Sequence, residues 1–502
     1  MLALARILER AAAFHGQRPA VVDGGVRLSY GELAGRAVRL AGALLARGIA
    51  PGDRIAVLAR NSFRYLEINL ACAHAGIVLI PLNIRLAPPE IARILALTET
   101  KLLFQALPFA AESVPTLVFA DGEPIAADTP YEQLAAAGPA LDRAVSGKPK
   151  DIAQIFFTSG TTGQPKGVCL SQQNLVTSAL DSVIALELNA HDVWLHAPPM
   201  FHLVDAFAIW AMTLTGGRHV ITHFEPDRFG PLVAAERITQ TGLPPILIDL
   251  IVRGADLARY DLRSLDRISY GGSPMSDDLY HRATAALGCD LVQTYGITEV
   301  GGMVCQQFPH DLRPAGGPRR NSVGQPVLHV DLRVIDDAGQ PLPPGKIGEL
   351  VVAGSRVMAG YWRDPAATAA AMPDGWYRTG DLGMYDTEGH YGIVGRKKDM
   401  IISGGENVYP AEVENVLCAH PAVAEAAVIG VPSERWGEEI RAVVVLNAGC
   451  KVDAAQLITH CRRLIGGYKI PKVIEILPDP LPKSGPGKIA KHLIRNRKWS
   501  PP

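Results

Sequence analysis

Thr158-Ser159-Gly160-Thr161-Thr162-Gly163-Gln164-Pro165-Lys166-Gly167 is the stretch around which the rest of the chain is organised. Its hydroxyls and backbone N–H groups can converge on phosphate oxygens while the lysine offsets their charge, which predicts a phosphate-binding loop. Apolar runs before and after it favour a hairpin between two strands. The loop differs from the nucleotide loop of kinases and GTPases, because that loop has Ser or Thr after its lysine and here Gly167 follows Lys166. The alternative is an ordinary polar turn.

The bulk composition describes a long, nearly neutral and apolar chain. A chain of 502 residues is longer than a single hydrophobic core normally accommodates, so we expect more than one domain. A net charge of −1 disfavours nucleic acid as a partner. The seven cysteines show no metal-ligand spacing and are expected to fill cores in a reducing, cytoplasmic compartment. We expect no transmembrane segment, because no apolar run reaches about 18 residues.

Strand and helix patterns alternate through the first part of the chain. A capping box at Ser29 and Glu32 predicts a helix that ends near Gly48, and strands at 54–59 and 77–82 flank a helix over 63–75. This βαβ spacing predicts an α/β fold with largely parallel sheets covered by helices. Residues 107–150 are expected to be surface connections.

Several short motifs follow the loop. They are the histidine of Pro198-Pro199-Met200-Phe201-His202, the turn Gly271-Gly272-Ser273, the run Gln293-Thr294-Tyr295-Gly296-Ile297-Thr298-Glu299, Thr379-Gly380-Asp381, Gly395-Arg396-Lys397-Lys398 and Lys483-Ser484-Gly485-Pro486-Gly487-Lys488. Each alone has a plain interpretation, since a lone histidine, a glycine turn or a charged run is usually structural or solvated. Tyr295, Thr298 and Glu299 are more informative, because an aromatic face, a hydroxyl and a Mg²⁺-compatible carboxylate occur together.

Taken together and in this order, these motifs resemble those of the adenylate-forming superfamily, which includes acyl-CoA synthetases, adenylation domains of peptide synthetases and beetle luciferases. The family's loop reads Ser or Thr, Ser-Gly, Ser or Thr, Thr-Gly, any residue, Pro-Lys-Gly, and this sequence matches every position. The resemblance runs from about residue 20 to 498. It implies a large N-terminal adenylation domain, 1–396, and a small mobile C-terminal α+β domain, 397–502.

The resemblance also implies roles for individual residues. The implied nucleotide-binding residues are Thr158, Ser159, Gly160, Thr161, Thr162, Gly163, Lys166, Gly271, Gly272, Ser273, Gln293, Thr294, Tyr295, Gly296, Asp381 and Arg396. Thr298 is implied to bind the α-phosphate, Glu299 to hold Mg²⁺, and Lys488 to be the catalytic lysine. Lys398 occupies the hinge position, where many relatives have Asp, and Ser273 replaces the usual Ala.

The implied reaction is that of an acid–thiol ligase, an acyl-CoA synthetase that uses ATP, Mg²⁺ and coenzyme A. His202 borders the implied acid pocket, whose other walls are expected from Phe207, Trp210, Gly296 and Met303. The expected pocket-wall segments contain no arginine to pair a second carboxylate, so we expect an apolar monocarboxylic acid, aryl or medium to long chain. Asp205 is expected on the helix surface or facing a polar substituent. Gly404, Gly405 and Trp436 are candidate coenzyme A contacts, and the alternative for Trp436 is a core residue.

Three alternatives stay open from the sequence. An acyl carrier protein is a second candidate acceptor, in place of free coenzyme A. A catalytically silent adenylate-binding protein would keep the fold without the reaction, and a luciferase-like oxygenase would share its first half. A homodimer is a candidate assembly.

Overall fold

The computed structural model describes residues 3–110, 114–120, 125–141, 144–145, 147–159, 165–254, 256–273, 275–308, 311, 322–433, 435–484 and 488–496, without the side chains of Ser159, Ser484 and Lys488. The elements up to the strand after the phosphate loop are α1 (Leu4–His15), β1 (Pro19–Asp23), β2 (Val26–Ser29), α2 (Tyr30–Ala46), β3 (Arg54–Leu58), α3 (Phe63–Ala75), β4 (Val78–Pro81), α4 (Pro88–Leu97), β5 (Leu102–Gln105), β6 (Thr116–Val118), α5 (Pro130–Ala137), β7 (Ile152–Ser159) and β8 (Pro165–Ser171).

The middle of the chain continues the alternation and then becomes mostly strand. Its elements are α6 (Gln172–Ala185), β9 (Val193–His196), α7 (Leu203–Thr215), β10 (Arg218–Ile221), α8 (Pro226–Glu236), β11 (Gln240–Leu243), α9 (Pro245–Gly254), β12 (Arg267–Gly271), α10 (Asp277–Leu287), β13 (Asp290–Ile297), β14 (Gly302–Gln306), β15 (Gln325–Pro326), β16 (Asp331–Ile335), β17 (Gly348–Ala353), β18 (Gly360–Tyr361), α11 (Pro365–Ala371), β19 (Tyr377–Tyr385) and β20 (Tyr391–Arg396).

The last part is a smaller α+β region. Its elements are β21 (Ile401–Ser403), β22 (Glu406–Val408), α12 (Pro410–Cys418), β23 (Val423–Ser433), β24 (Gly437–Leu446), α13 (Ala454–Leu464), β25 (Val473–Leu477), β26 (Lys483–Ser484), β27 (Lys488–Ile489) and α14 (Lys491–Arg495). The described part of the chain contains no helix that is both long enough and apolar enough to cross a membrane.

Two large sheets carry the first part of the chain. One has nine strands in the order β15-β14-β13-β12-β11-β9-β10-β1-β2, with parallel pairs from β13 through to β1. The other has seven strands in the order β18-β8-β7-β4-β3-β5-β6, parallel from β7 to β6. The predicted α/β class is confirmed. A four-stranded antiparallel sheet, β16-β17-β19-β20, was not predicted.

Local signals explain where the elements begin. The Ser29 hydroxyl accepts a hydrogen bond from the Glu32 N–H at 3.2 Å, and the Glu32 carboxylate accepts one from the Ser29 N–H at 2.7 Å. This confirms the predicted capping box at the start of α2. Leu33, Ala37 and Leu40 then recur at helical spacing and are fully buried.

Residues 107–150 are not only surface connections, so that prediction was wrong. β6 joins the seven-stranded sheet, and α5 packs against α2. Glu132 of α5 is buried between two arginines, 2.9 Å from Arg64 and 2.7 Å from Arg36, and Arg36 also pairs with the buried Glu67. Buried charges need such partners. The composition of residues 107–150 could not predict this role, because the two arginines that pair with Glu132 belong to other helices.

The cysteine prediction holds for most positions. Five of the seven cysteines are buried, Cys418 is partly buried, and Cys450 is exposed, so Cys450 does not fill a core.

The region after residue 400 has a sheet and a core of its own. β22, β21, β24, β23 and β25 pair among themselves, and the apolar cluster of this region draws on residues between 401 and 476. The main cluster of the preceding region draws on residues between 4 and 393.

Candidate active site

The predicted phosphate hairpin is present. β7 and β8 pair as antiparallel strands, with Thr158 opposite Lys166 and Ser159 opposite Pro165. Outside the described residues lie the predicted contacts Gly160, Thr161, Thr162 and Gly163, together with the side chain of Ser159. The strands fix both ends of the loop, and Lys166 stands on its C-terminal arm.

An aromatic ring from another part of the chain meets Lys166. The Lys166 Nζ lies 4.8 Å from the ring centroid of Tyr361, whose strand β18 pairs with β8. The Tyr361 hydroxyl donates a hydrogen bond to Oε1 of Glu299 at 3.2 Å. Burial, followed by the Glu299 carboxylate, raises the pKa of Tyr361 to about 12. Tyr361 was not predicted from the sequence, because Gly360-Tyr361-Trp362 has no chemical signature of its own.

The turn that carries Thr298 and Glu299 is anchored from behind. The Met358 N–H donates to the Glu299 carbonyl at 2.8 Å, and the Arg356 guanidinium donates to the Gly301 carbonyl at 3.0 Å. Arg356 is fully buried and pairs with Asp181 at 3.2 Å. Burial lowers the pKa of Arg356 to about 10, and Asp181 opposes that shift. A buried ion pair therefore supports the turn.

Three motif residues that are far apart in sequence meet in one hydrogen-bonded cluster. The Tyr295 hydroxyl donates to Oδ2 of Asp381 at 2.5 Å, and the Arg396 Nε lies 2.7 Å from Oδ1. Asp381 and Arg396 face each other across β19 and β20, and Asp381 is only 4% exposed. Burial, followed by the Asp381 carboxylate, raises the pKa of Tyr295 well above its ordinary value. The cluster offers an aromatic face, a carboxylate and a cation in one place.

The glycine turn lies beside this cluster, at the end of β12. Gly271 pairs with Thr294 of β13, and a Cβ on Gly271 would come within 2.4 Å of the Thr294 carbonyl oxygen. Gly272 has φ +82°, a backbone conformation that favours glycine. Ser273 follows in the same turn and is exposed. The turn can therefore present its backbone to a ligand.

The side chains of Gln293 and Thr294 are engaged within the sheet. The Thr294 hydroxyl donates to Gln306 and lies 2.7 Å from the Ser269 hydroxyl, and Gln293 accepts a hydrogen bond from the Tyr270 hydroxyl at 3.4 Å. Gly296 is exposed, and its pairing with Met303 leaves no room for a Cβ. Their nucleotide contacts stay predictions.

The loop that carries His202 is held by a buried asparagine. The Asn61 amide donates to the carbonyls of His196 and Pro198 at 3.1 and 2.7 Å and accepts from the Met200 N–H at 2.8 Å. His202 comes next, as the residue before α7, with its ring 4.7 Å from that of Phe201. Its position is therefore set by the loop.

The other predicted pocket residues differ in burial. Phe207 is half-buried and packs edge-on against Trp194, with ring centroids 5.5 Å apart. Trp210 and Met303 are 2% and 5% exposed and belong to the main core. Phe207 and His202 thus offer more accessible surface than Trp210 and Met303.

Asp205 is neither on a helix surface nor open to a substituent, so both expectations for it were wrong. It is fully buried; Oδ1 accepts from the Trp194 indole N–H at 2.9 Å, and Oδ2 lies 2.7 Å from the His196 Nδ1. The chain continues from the His196 Nε2 to the His219 Nδ1 at 2.9 Å and from the His219 Nε2 to the Thr213 hydroxyl at 3.2 Å.

The Thr213 hydroxyl fixes which groups donate and which accept along this series of hydrogen bonds. The Thr213 hydroxyl donates its single proton to the Ile209 carbonyl at 2.7 Å, so it accepts from the His219 Nε2–H. The other nitrogen of a neutral His219 is then an acceptor for the His196 Nε2–H. One proton lies between the His196 Nδ1 and the Asp205 Oδ2, so His196 and Asp205 form a buried hydrogen-bonded pair. Burial, followed by His196, holds the pKa of His219 well below its ordinary value, which keeps the His219 ring neutral.

Asp205→Asn is expected to destabilise the chain by about 3 kcal/mol, because it disrupts a fully buried hydrogen-bond chain and leaves buried polar atoms without their partners. The measurement is the apparent midpoint of thermal unfolding. Asp278→Asn is the matched control, since Asp278 pairs with Arg282 on an exposed helix face and should change the midpoint little. Equal midpoints for both variants would contradict a stabilising role of the buried hydrogen-bond chain.

The candidate coenzyme A contacts meet in the last region of the chain. The Gly404 N–H donates to the Trp436 carbonyl at 2.8 Å, and a Cβ on Gly404 would lie 3.2 Å from the Trp436 ring. Gly405 follows with φ +85°. Two cations flank the half-buried ring of Trp436, Arg435 at 4.8 Å and Lys472 at 5.2 Å. Trp436 is thus not a core residue.

The predicted hinge residue lies between two tethers. Lys397 Nζ lies 2.9 Å from Asp337 and 3.2 Å from Glu349, both in the region before the hinge. Asp399 lies 3.5 Å from Arg495 in α14. Lys398 is the exposed middle residue of this single 3-10 turn.

Lys488 has a described backbone only. It begins β27, opposite Ser484 of β26, so the predicted catalytic lysine stands on a small hairpin whose tip, 485–487, lies outside the described residues.

Comparison with known proteins adds to this geometry. A family model described as AMP-binding enzyme matches residues 8–362, and one described as AMP-binding enzyme C-terminal domain matches 412–488. The feruloyl-CoA synthase of an Amycolatopsis species is 39% identical over 97% of both chains. The indoleacetate–CoA ligase of Aromatoleum aromaticum is 39% identical over 93% of this chain and 92% of its own. The fatty acid–[acyl-carrier-protein] ligase ScoC of Streptomyces coeruleorubidus is 36% identical over 98% and 96%.

Solved structures match along nearly the whole length. ATP-bound MatB from Rhodopseudomonas palustris has a TM-score of 0.88 at 31% identity over 98% of both chains. The o-succinylbenzoate coenzyme A synthetase MenE of Bacillus subtilis, solved with ATP and a magnesium ion, has a TM-score of 0.85 at 28% identity over the same shares.

Proposed function

The chain belongs to the AMP-binding enzyme family, and on this premise we propose that it is an ATP-dependent acid–thiol ligase that joins a carboxylic acid to coenzyme A through an acyl adenylate. The observation that carries the proposal is the cluster of Tyr295, Asp381 and Arg396 beside the glycine turn of β12. These groups suit a nucleoside, because a carboxylate can accept hydrogen bonds from ribose hydroxyls while an aromatic face lies against the base.

The first step activates the acid. A carboxylate oxygen attacks the α-phosphorus of ATP, the bond from that phosphorus to the bridging oxygen breaks, and pyrophosphate leaves with its electron pair. Negative charge increases on the phosphoryl oxygens, so donors aimed at them lower the barrier. We assign this role to Thr298, Lys166 and Lys488. Asp381 and Arg396 orient the ribose.

Glu299 fits a magnesium ion that arrives with ATP. Among the described residues, no group of three or more His, Cys, Asp or Glu side chains is arranged to hold a metal. Mg²⁺ commonly binds one or two protein carboxylates and fills its remaining coordination positions with substrate phosphates and water. The single Glu299 carboxylate meets this requirement. The ion would offset phosphate charge. Glu299 is fixed for this by its backbone contact with Met358.

The second step transfers the acyl group. The thiol sulfur attacks the acyl carbon, the bond from that carbon to the adenylate oxygen breaks, and AMP leaves with the bonding electron pair while the thiol proton is released. Trp436 between Arg435 and Lys472 suits the adenine and phosphate groups of coenzyme A, because a ring and flanking cations recognise that combination. We place the domain boundary at 396/397 and the rotation that separates the two steps at Lys398, between the tethers of Lys397 and Asp399.

The acid is proposed to be an apolar monocarboxylate, aryl or medium to long chain. Support comes from the aromatic surface of Phe207 and from relatives whose names include feruloyl, indoleacetate and fatty acid substrates. The test is acid-dependent pyrophosphate release across aryl, short, medium, long and dicarboxylic acids. We expect aryl or longer apolar acids to exceed dicarboxylic acids, and preference for a dicarboxylate would overturn this part.

Carrier-protein loading is the second candidate function, favoured by the similarity to ScoC. The purified chain is given acid and ATP with either coenzyme A or a phosphopantetheine-bearing carrier protein. Thioester on coenzyme A alone supports the main proposal, and thioester on the carrier alone supports this one. Absence of pyrophosphate release with every acid would support a silent adenylate-binding protein, and oxygen uptake would indicate an oxygenase.

A further inference from the structure

Lys166 and Glu299 have opposite charges but do not pair directly. Both side chains belong to the described part of the chain, and the Lys166 ammonium forms no ion pair with the Glu299 carboxylate there. Tyr361 contacts both: its ring face receives the Lys166 ammonium at 4.8 Å, and its hydroxyl donates to the Glu299 carboxylate at 3.2 Å. The two site charges are therefore joined through one neutral side chain.

The backbone around Tyr361 connects the same two parts of the site. Met358 N–H donates to the Glu299 carbonyl at 2.8 Å, and Trp362 N–H donates to the Gly167 carbonyl at 2.7 Å, next to Lys166. The Tyr361 N–H itself donates to the Thr368 hydroxyl at 2.9 Å. The segment 358–362 thus spans the distance between the hairpin and the Glu299 turn and is fixed at both ends.

A direct lysine–glutamate pair at this place would work against nucleotide binding. It would hold the Lys166 ammonium away from phosphate oxygens and occupy the carboxylate that a hard cation needs. An aromatic face holds an ammonium more weakly than a carboxylate does, so the lysine stays available. The hydroxyl bond meanwhile restrains the orientation of the Glu299 carboxylate.

We infer that Tyr361 is a positioning residue for nucleotide binding: its ring keeps Lys166 and Glu299 from pairing, and its hydroxyl orients Glu299 toward a divalent cation. The inference rests on the proposed function, because it gives Lys166 to phosphate and Glu299 to the cation. It makes different predictions for the ring and for the hydroxyl, and two substitutions separate them.

The test is the affinity for ATP, measured by calorimetry with Mg²⁺ and again with EDTA in its place. Tyr361→Phe keeps the ring and removes the hydroxyl, so the affinity with Mg²⁺ should fall about tenfold while the affinity with EDTA is unchanged. Tyr361→Leu removes both, and ATP should then bind more weakly in both conditions because Lys166 pairs with Glu299. Lys166→Gln should weaken binding less in the Tyr361→Leu background than in the unmodified chain.

Tyr385→Phe is the matched control, because its hydroxyl donates to the Leu342 carbonyl and its loss should leave both affinities unchanged. Equal weakening of Tyr361→Phe with Mg²⁺ and with EDTA, or no weakening with Mg²⁺, overturns the inference. Tyr361→Phe alone decides the hydroxyl role if Tyr361→Leu does not fold. If the unmodified chain binds no ATP, the proposed function fails; if it binds ATP and Tyr361→Phe binds equally well, only the role of Tyr361 fails.

Discussion

Lys488→Ala is expected to lose acid-dependent pyrophosphate release by on the order of a hundredfold or more, while a supplied acyl adenylate is still converted to its coenzyme A thioester. The reason is that the first step builds charge around a five-coordinate α-phosphorus, whereas the second step takes place at the acyl carbon. In the second step the acyl adenylate is already formed, and the leaving AMP needs no cation from this hairpin. Two separate assays, pyrophosphate release and thioester formation from synthetic acyl adenylate, resolve the steps.

Lys483→Ala is the control for this variant. Lys483 lies in β26, on the opposite strand of the same hairpin, and its ammonium pairs with Glu425 of β23. Removing it changes the charge of the hairpin without removing the proposed catalytic group, so pyrophosphate release should change little. If Lys488→Ala slowed both half-reactions equally, or if Lys483→Ala matched it, the assignment of Lys488 to the first step would be wrong.

Lys398→Pro is expected to do the reverse, keeping pyrophosphate release and losing thioester formation. Proline fixes φ near −65° and so restricts rotation at the one residue between the tethers of Lys397 and Asp399. If proline leaves the domain orientation required for thioester formation at about 1% of the population, thioester formation falls about a hundredfold. The same two assays measure the effect.

Lys398→Ala separates the backbone from the side chain. Alanine removes the ammonium but leaves φ and ψ free, so both half-reactions should proceed. Normal thioester formation in Lys398→Pro would place the rotation elsewhere. Loss of thioester formation in both variants would show that the lysine side chain, and not backbone rotation, is what the second step needs.

Local sequence signals predicted much of the fold. The capping box at Ser29, the helix over 63–75 and the hairpin around the phosphate loop each depend on residues close together in sequence, and the structure confirms each of them. The four-stranded sheet escaped prediction because its strands are separated by loops of unlike composition. The buried role of Glu132 escaped for a related reason: an acidic residue in a polar segment carries no sign of the arginines that will surround it.

The candidate site divides in the same way. Tyr295, Asp381 and Arg396 were each found through short motifs, and the structure brings them together although Tyr295 and Asp381 are 86 positions apart. Asp205 was misjudged, because its partners Trp194 and His196 lie on β9, and only the folded sheet places them beside α7.

The sequence by itself determined which residue types are present for adenylate chemistry and in what order, because that information is carried by contiguous motifs whose side chains have characteristic functional groups. Only the tertiary structure decided that Tyr361 lies between Lys166 and Glu299 and that His196 and Asp205 form a buried pair. Those relations depend on strand pairing and on the loss of water around buried groups, and neither is written in the spacing of residues along the chain.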